Sequence, residues 1–249
     1  MRDAAALTGR RLRHERRNLD GLLTTVLLPV MMLLVFVYVF GGATWDGRDT
    51  YLAYVVPGIL VLASAYGASM TAPAVTQDLT TGTVDRLRSM PVSPAALFAG
   101  HVGAAVLRTT GSCILVLAVA IGIGLRPTTS PLRWAAALAT VAGFALAVSW
   151  VAACAGVLAR SVEAAGGFTF FALFFPYVSS AFVPTASLPS VLRPVAEHQP
   201  VTHVIESLRA LLHDQPVGDH AWWALGWCVA TVALFVPLTA LRFRARVRR

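Results

Sequence analysis

Lysine is absent from the 249-residue chain, and all twenty basic residues are arginine. A nucleotide-binding loop of the GxxxxGK[ST] kind is therefore impossible, because its lysine holds the terminal phosphates. No GxSxG or HExxH motif occurs either, and no paired carboxylates fall within an apolar run. The three cysteines, Cys113, Cys154 and Cys228, are far apart, each inside an apolar run, with no CxxC or metal-ligand spacing. They read as small buried hydrophobes. Charge of both signs is scarce: 13% of residues are charged and 57% hydrophobic, with mean hydropathy +0.69, against about 25% and 45–50% in a soluble domain. The sequence shows no means of driving chemistry or transport alone, and any energy is expected from another chain.

What is present is a series of long apolar runs. A spanning helix needs about 20 mainly apolar residues. Six stretches qualify: Gly21–Phe40, Tyr51–Pro73, Gly103–Leu125, Trp134–Leu158, Ala164–Val183 and Trp222–Leu241. Each is too long and too evenly apolar for barrel strands, so an all-α integral membrane fold is expected. One domain over 1–249 is expected, with no nucleotide-binding domain. The basic N-terminus and its long apolar run read as a retained anchor rather than a cleaved signal.

Arginine position predicts orientation. With both termini in the cytoplasm, the inner segments hold Arg2, Arg10, Arg11, Arg13, Arg16, Arg17, Arg86, Arg88, Arg108, Arg160, Arg242, Arg244, Arg246, Arg248 and Arg249. The outer ones hold only Arg48, Arg126, Arg133, Arg193 and Arg209. Such a bias marks the cytoplasmic side. Trp45, Trp134, Trp222, Trp223 and Trp227 fall near the outer ends, as an interfacial belt would. The net charge of +8 then faces acidic lipid headgroups, with no call for nucleic acid. Residues Ala4–Asp20 read as an amphipathic helix along that surface.

Three segments depart from plain spanning helix. The first, Gln77–Pro94, reads QDLTTGTVDRLRSMPVSP. Thr83 can cap a short helix with Asp85 in its first turn, and Val84, Leu87 and Met90 fall on one face. Pro91 closes it, and Ser93 caps a new helix at Pro94. A solvated basic loop is the alternative. The new helix, if it runs to Leu125, is roughly 48 Å long at 1.5 Å per residue, so its first turns should lie in the cytoplasm. That puts His101 outside the hydrocarbon and lets Arg108 snorkel to the inner interface, the alternative being a buried Arg108 in a substrate path.

The second is Pro184–His220, broken by prolines yet carrying an apolar face of Ile205, Leu208, Leu211 and Leu212. It reads as re-entrant or interfacial helices on the outer side. Glu197, His198, His203 and Glu206 lie here. His203 and Glu206, three apart on a helix, could share a metal or a proton, although solvated surface polarity accounts for all four more simply.

The third is the fifth run. Phe171, Phe174, Phe175, Val178 and Phe182 share one face at helical spacing, and Tyr177 lies beside them. Packing against lipid or a helix explains each ring. The face as a whole suggests an apolar wall for a greasy substrate.

Together these features resemble the permease subunits of type-2 ABC transporters, the exporter family that includes daunorubicin-resistance permeases. The stretches that carry the likeness are Thr80–Gly100, Phe174–Leu212 and the basic N-terminus leading into the first run. The resemblance covers nearly the whole chain. It implies a multi-pass permease in a bacterial plasma membrane, with an N-terminal elbow helix and a cytoplasmic coupling helix. It also implies partnership with two copies of an ABC ATPase and a second permease, in a homodimer. No cofactor is implied in this chain, and ATP and Mg would sit on the ATPase. By the same likeness, Gly82–Pro91 would contact the ATPase through Gly82, Thr83, Asp85, Arg86, Leu87, Arg88 and Pro91, with Leu87 packed. Asp85 stands where family members often carry Glu. The implied cargo is hydrophobic and drug-like or lipid-like. Alternatives are export of a lipid-linked glycan or, in a different class, a membrane enzyme using Glu197, His198, His203 and Glu206.

Overall fold

The computed structural model describes residues 19–41, 48–81 and 94–247. Among them the regular structure is entirely helical. Helix α1 (Leu19–Val35) continues as a π-helical turn to Phe40. Helices α2 (Arg48–Ser69) and α3 (Thr71–Thr80) follow, separated at Met70. Then come α4 (Pro94–Gly122), α5 (Pro131–Leu158) and α6 (Val162–Tyr177). After a 3₁₀ turn at Thr185–Ser187 the chain forms α7 (Arg193–His198), α8 (Pro200–Leu212) and α9 (His220–Val247). The segments predicted as elbow and coupling helices, and Trp45, lie outside the described residues, except that Leu19 and Asp20 begin α1.

Local chemistry sets these boundaries. Ser130 accepts a hydrogen bond from the Arg133 amide and Pro131 opens α5, where a missing N–H costs nothing. Ser161 caps α6 in the same way through the Ala164 amide. Gly124 ends α4 with φ of 127°, a conformation that side chains rarely adopt.

Four helical stretches are long and apolar enough to cross a bilayer: Asp49–Thr80, Leu97–Gly122, Pro131–Leu158 and His220–Arg246. Thr25–Phe40 and Val162–Tyr177 are shorter apolar helices. Each of the six predicted runs overlaps one of these apolar helices.

Helix α2 forms the spine, with Leu52, Val55, Val56, Ile59 and Val61 fully buried. Around it gather Leu33 of α1, Val116 of α4, Val141 of α5, and Ile205 and Leu208 of α8. A second cluster joins Val75 of α3, Phe98 and Val102 of α4, Trp150 and Val157 of α5, and Phe243 of α9. Hydroxyls tie the helices across apolar seams, as small polar residues do in membrane bundles. Ser112 donates to the Thr25 carbonyl at 2.9 Å, and Thr76 to the Gly156 carbonyl at 2.9 Å.

Two expectations need correction, and Arg108 gains a partner. Helix α6 stops at Tyr177 rather than continuing to Val183. At 16 residues it spans about 24 Å. The apolar residues beyond it form an irregular buried turn whose backbone is satisfied by neighbours. Ser179 Oγ donates to the Pro176 carbonyl at 2.6 Å and accepts from the Ala181 amide at 3.2 Å. The Gln199 amide donates to the Val178 carbonyl. Tyr54 Oη and Arg209 Nη2 both donate to the Ser180 carbonyl, each at 2.9 Å. Non-helical backbone at membrane depth is tolerated where protein surrounds it in this way.

Arg108, half-buried, gains a partner: its Nη2 donates to the Gly67 carbonyl of α2 at 3.0 Å. The other correction is the proposed aromatic face. Phe182 lies past the helix end and is only 8% exposed, stacked on Phe36 at 4.2 Å and on Tyr177 at 5.3 Å. It packs the end of α6 against the π-helical turn that follows α1.

Candidate functional site

Helix α6 sends its phenylalanines in two directions. Phe168, Phe171 and Phe175 follow the i, i+3, i+7 spacing of one stripe, whereas Phe170 and Phe174 lie farther round the helix and are exposed. The Phe171 and Phe175 rings meet edge to face at 5.0 Å, and Phe168 is tilted against Phe171 at 6.2 Å.

That stripe forms one wall of a cavity of about 210 Å³. Phe144, Ala147, Val148 and Val151 of α5 form a second wall. Pro200, Val201 and Val204 of α8 close one end, and Trp227, Cys228 and Thr231 of α9 line the far side. Phe171 and Trp227 are exposed at its rim. Among the lining side chains, the polar groups are the Thr231 hydroxyl, the Cys228 thiol and the Trp227 indole N–H. Such a space favours hydrocarbon or an aromatic ring over anything ionic, since an unpaired polar group there costs several kcal/mol.

Of the residues predicted as a possible substrate path, Phe171 and Phe175 line this cavity. Phe174 and Tyr177 are exposed outside it, and Phe182 is buried elsewhere. Gly82, Thr83, Asp85, Arg86, Leu87, Arg88 and Pro91 lie outside the described residues. Sequence reading missed the α5 and α9 walls. The one available signal was the small-residue and aromatic content of Phe144–Val151, and it does not say which neighbour these residues face.

The four residues that could make an enzyme are each engaged with another partner. Glu197 pairs with Arg193 at 2.8 Å, and His198 Nδ1 is 2.9 Å from the Pro194 carbonyl. Glu206 pairs with Arg209 at 2.5 Å. His203 Nδ1 instead meets Nδ1 of His220, at the head of α9, at 3.0 Å. Burial first, then the nearby His220 and His198, hold the His203 imidazole below its usual range, against an upward pull from Glu206. Among the described residues no group of three or more His, Cys, Asp or Glu is placed to hold a metal.

Arg209 organises this end of the molecule. Its guanidinium lies 3.9 Å over the Tyr54 ring and donates to the Tyr54 and Ser180 carbonyls at 3.2 and 2.9 Å. It thereby locks α8 to α2 and to the turn after α6. Arg133 of α5 reaches the Gln215 carbonyl at 2.8 Å and Asp214 at 3.1 Å, fixing the chain just beyond the same C-terminal end of α8.

A multi-helix apolar bundle with a short buried helix after its fifth apolar segment agrees with what comparison with known proteins returns. The family model described as ABC-2 type transporter matches residues 3–213. The daunorubicin resistance ABC transporter permease protein DrrB1 of Streptomyces coeruleorubidus is 30% identical over 228 residues, covering 90% of this chain and 79% of that protein. The probable doxorubicin resistance ABC transporter permease protein DrrC of Mycobacterium tuberculosis is 27% identical over 242 residues, covering 93% and 84% respectively. The chain belongs to the ABC-2 type transporter family.

Proposed function

We propose that this chain is the permease subunit of an ATP-driven exporter that carries an apolar, drug-like molecule out of a bacterial cytoplasm. Residues 1–249 act as one permease domain that crosses the plasma membrane six times with both termini inside. ATP and Mg are bound by two copies of a separate ABC ATPase, and a second copy of the permease completes the pathway. The relatives' names link them to daunorubicin and doxorubicin resistance, which favours a drug-like cargo over a lipid-linked glycan.

The observation that carries the cargo class is the cavity beside α6, with Phe168, Phe171 and Phe175 on one wall and little polar lining. Residues 82–91 are assigned to the ATPase contact, with Leu87 as the packed residue and Asp85, Arg86 and Arg88 at its rim. The exposed apolar faces of α1 (Leu27, Met31, Val35) and α6 (Phe170, Phe174) offer a surface for the second copy.

The test is reconstitution of the chain with its ATPase in liposomes, following daunorubicin. ATP should drive uptake into inside-out vesicles. Phe171→Ala with Phe175→Ala should cut it about tenfold, the scale of losing apolar contacts worth one to three kcal/mol. Uptake that ignores ATP would remove the exporter reading. Uptake indifferent to the two phenylalanines would remove the cavity from the path.

A further inference from the structure

Helix α9 ends in the run Leu241–Val247, LRFRARV. The apolar stretch before it, Trp222–Leu241, makes about 30 Å of helix, the thickness of the hydrocarbon core. Arg242 and Arg244 therefore stand at the depth of lipid phosphates. The end of α9 is held in place by its neighbours. Arg246 Nη1 donates to the Val157 and Ala159 carbonyls at 2.6 and 2.8 Å, capping α5. Phe243 is buried against Phe98, edge to face at 5.2 Å.

With Phe243 turned inward, the opposite side of α9 is bare. Leu234, Leu241 and Ala245 lie along one line at i, i+7 and i+11, and all three are exposed. At about 100° per residue, Arg242 stands about 80° to one side of that line and Arg244 about 80° to the other. Both are exposed. Between them Ala245 presents only a methyl group, which leaves a notch. Among the described residues no carboxylate forms an ion pair with Arg242, Arg244 or Arg246. Arg242 and Arg246 are one turn apart, where like charges repel. An apolar stripe thus runs into a cationic fork, and the charge calls for an anion from outside the chain.

We propose that Arg242 and Arg244 clasp the phosphate of an anionic phospholipid of the phosphatidylglycerol type, with its acyl chains along Leu241 and Leu234. The site is separate from the cavity beside α6 and needs only that α9 cross a bilayer. Guanidinium groups match phosphate oxygens with paired hydrogen bonds. A zwitterionic lipid brings its own ammonium, which the two arginines repel. Free phosphate would leave the apolar stripe uncovered. The lipid's charge also offsets the repulsion between Arg242 and Arg246, so its binding steadies the seam between α9 and α5.

The test uses the full chain, purified in detergent and stripped of lipid. In native mass spectrometry, dioleoylphosphatidylglycerol should be retained about tenfold more strongly than dioleoylphosphatidylcholine. Arg242→Gln with Arg244→Gln should abolish that preference, the scale expected for two basic residues facing an anionic headgroup. Arg244→Gln alone, at an exposed position, should weaken retention about fivefold and keeps the test open if the double variant does not fold. Arg193→Gln, on α7, should change nothing. As a second measurement, the anionic lipid should raise the melting temperature of the parent by about 2–4 °C over the zwitterionic one, and that of the double variant equally with either. Equal retention of the two lipids by the parent overturns the proposal, as does a glutamine variant that holds the anionic lipid as the parent does. Displacement of the lipid by inorganic phosphate also overturns it, because it marks a site for the ion alone. None of these readouts involves transport, so they stand whether or not the exporter reading does.

Discussion

Gly58 of α2 and Ala181, beyond the end of α6, meet backbone to backbone. A Cβ on Gly58 would fall 2.5 Å from the Ala181 carbonyl oxygen and 2.7 Å from its Cα. Neither atom belongs to a flexible side chain, so the approach depends on hydrogen at that position. Gly58→Ala should destabilise the protein by about 1–3 kcal/mol through overpacking. Gly166→Ala, where no atom lies within 4 Å of the added methyl, should be neutral or gain about 0.5–1 kcal/mol. Thermal unfolding in detergent compares the two, and equal melting temperatures for both variants would contradict the close approach.

Arg209 joins an aromatic face, two carbonyls and Glu206 at once. Lysine keeps the charge but lacks the planar fork, so Arg209→Lys should lose about 2 kcal/mol. Tyr54→Phe removes only the hydroxyl bond to the Ser180 carbonyl and should lose about 1 kcal/mol. The melting temperature of the purified protein ranks them, and an Arg209→Lys variant as stable as the parent would mean the fork is dispensable.

The His203–His220 contact gives this end a pH dependence. The folded-state pKa of His203 is depressed below 6.5. Above 6.5 the imidazole is neutral in both folded and unfolded chains, and its contribution is complete. As pH falls below 6.5 the unfolded state takes up the proton first, so stability declines. Melting temperature should therefore drop as pH falls below about 6.5, and His203→Gln should remove that part of the drop. A variant that tracks the parent across the range would assign the slope to other groups.

Cys228 lines the cavity, while Cys113 and Cys154 are 1% and 2% exposed in the core. A membrane-permeant maleimide should label Cys228 faster than the other two, and daunorubicin should slow that labelling. Labelling at Cys113 first, or drug-insensitive labelling of Cys228, would argue against an accessible cavity at this place.

Unbroken apolarity made the six apolar helices legible, because lipid-depth helices carry that signal in composition alone. The end of α6 was not legible. Val178, Ala181 and Phe182 are as apolar as the helix before them, and the turn depends on donors from Tyr54, Gln199 and Arg209, far away in sequence. The face of Ile205, Leu208, Leu211 and Leu212 was readable from spacing, and all four are buried. The phenylalanine face divided for a related reason. Helical spacing reports which side chains share a side, whereas the cavity is defined by what stands opposite. Its far wall, Trp227, Cys228 and Thr231, arrives about fifty residues later.

The irregular backbone over residues 178–183 decides which parts of the molecule can shift relative to one another. The Val178 and Ser180 carbonyls are held by Gln199, Tyr54 and Arg209. Sliding the end of α6 along α2 or α8 would leave those carbonyls facing hydrocarbon, at several kcal/mol each. Helix α2, helix α8 and the tail of α6 must then travel as a single block. Any change in the shape of the cavity falls to seams other than these.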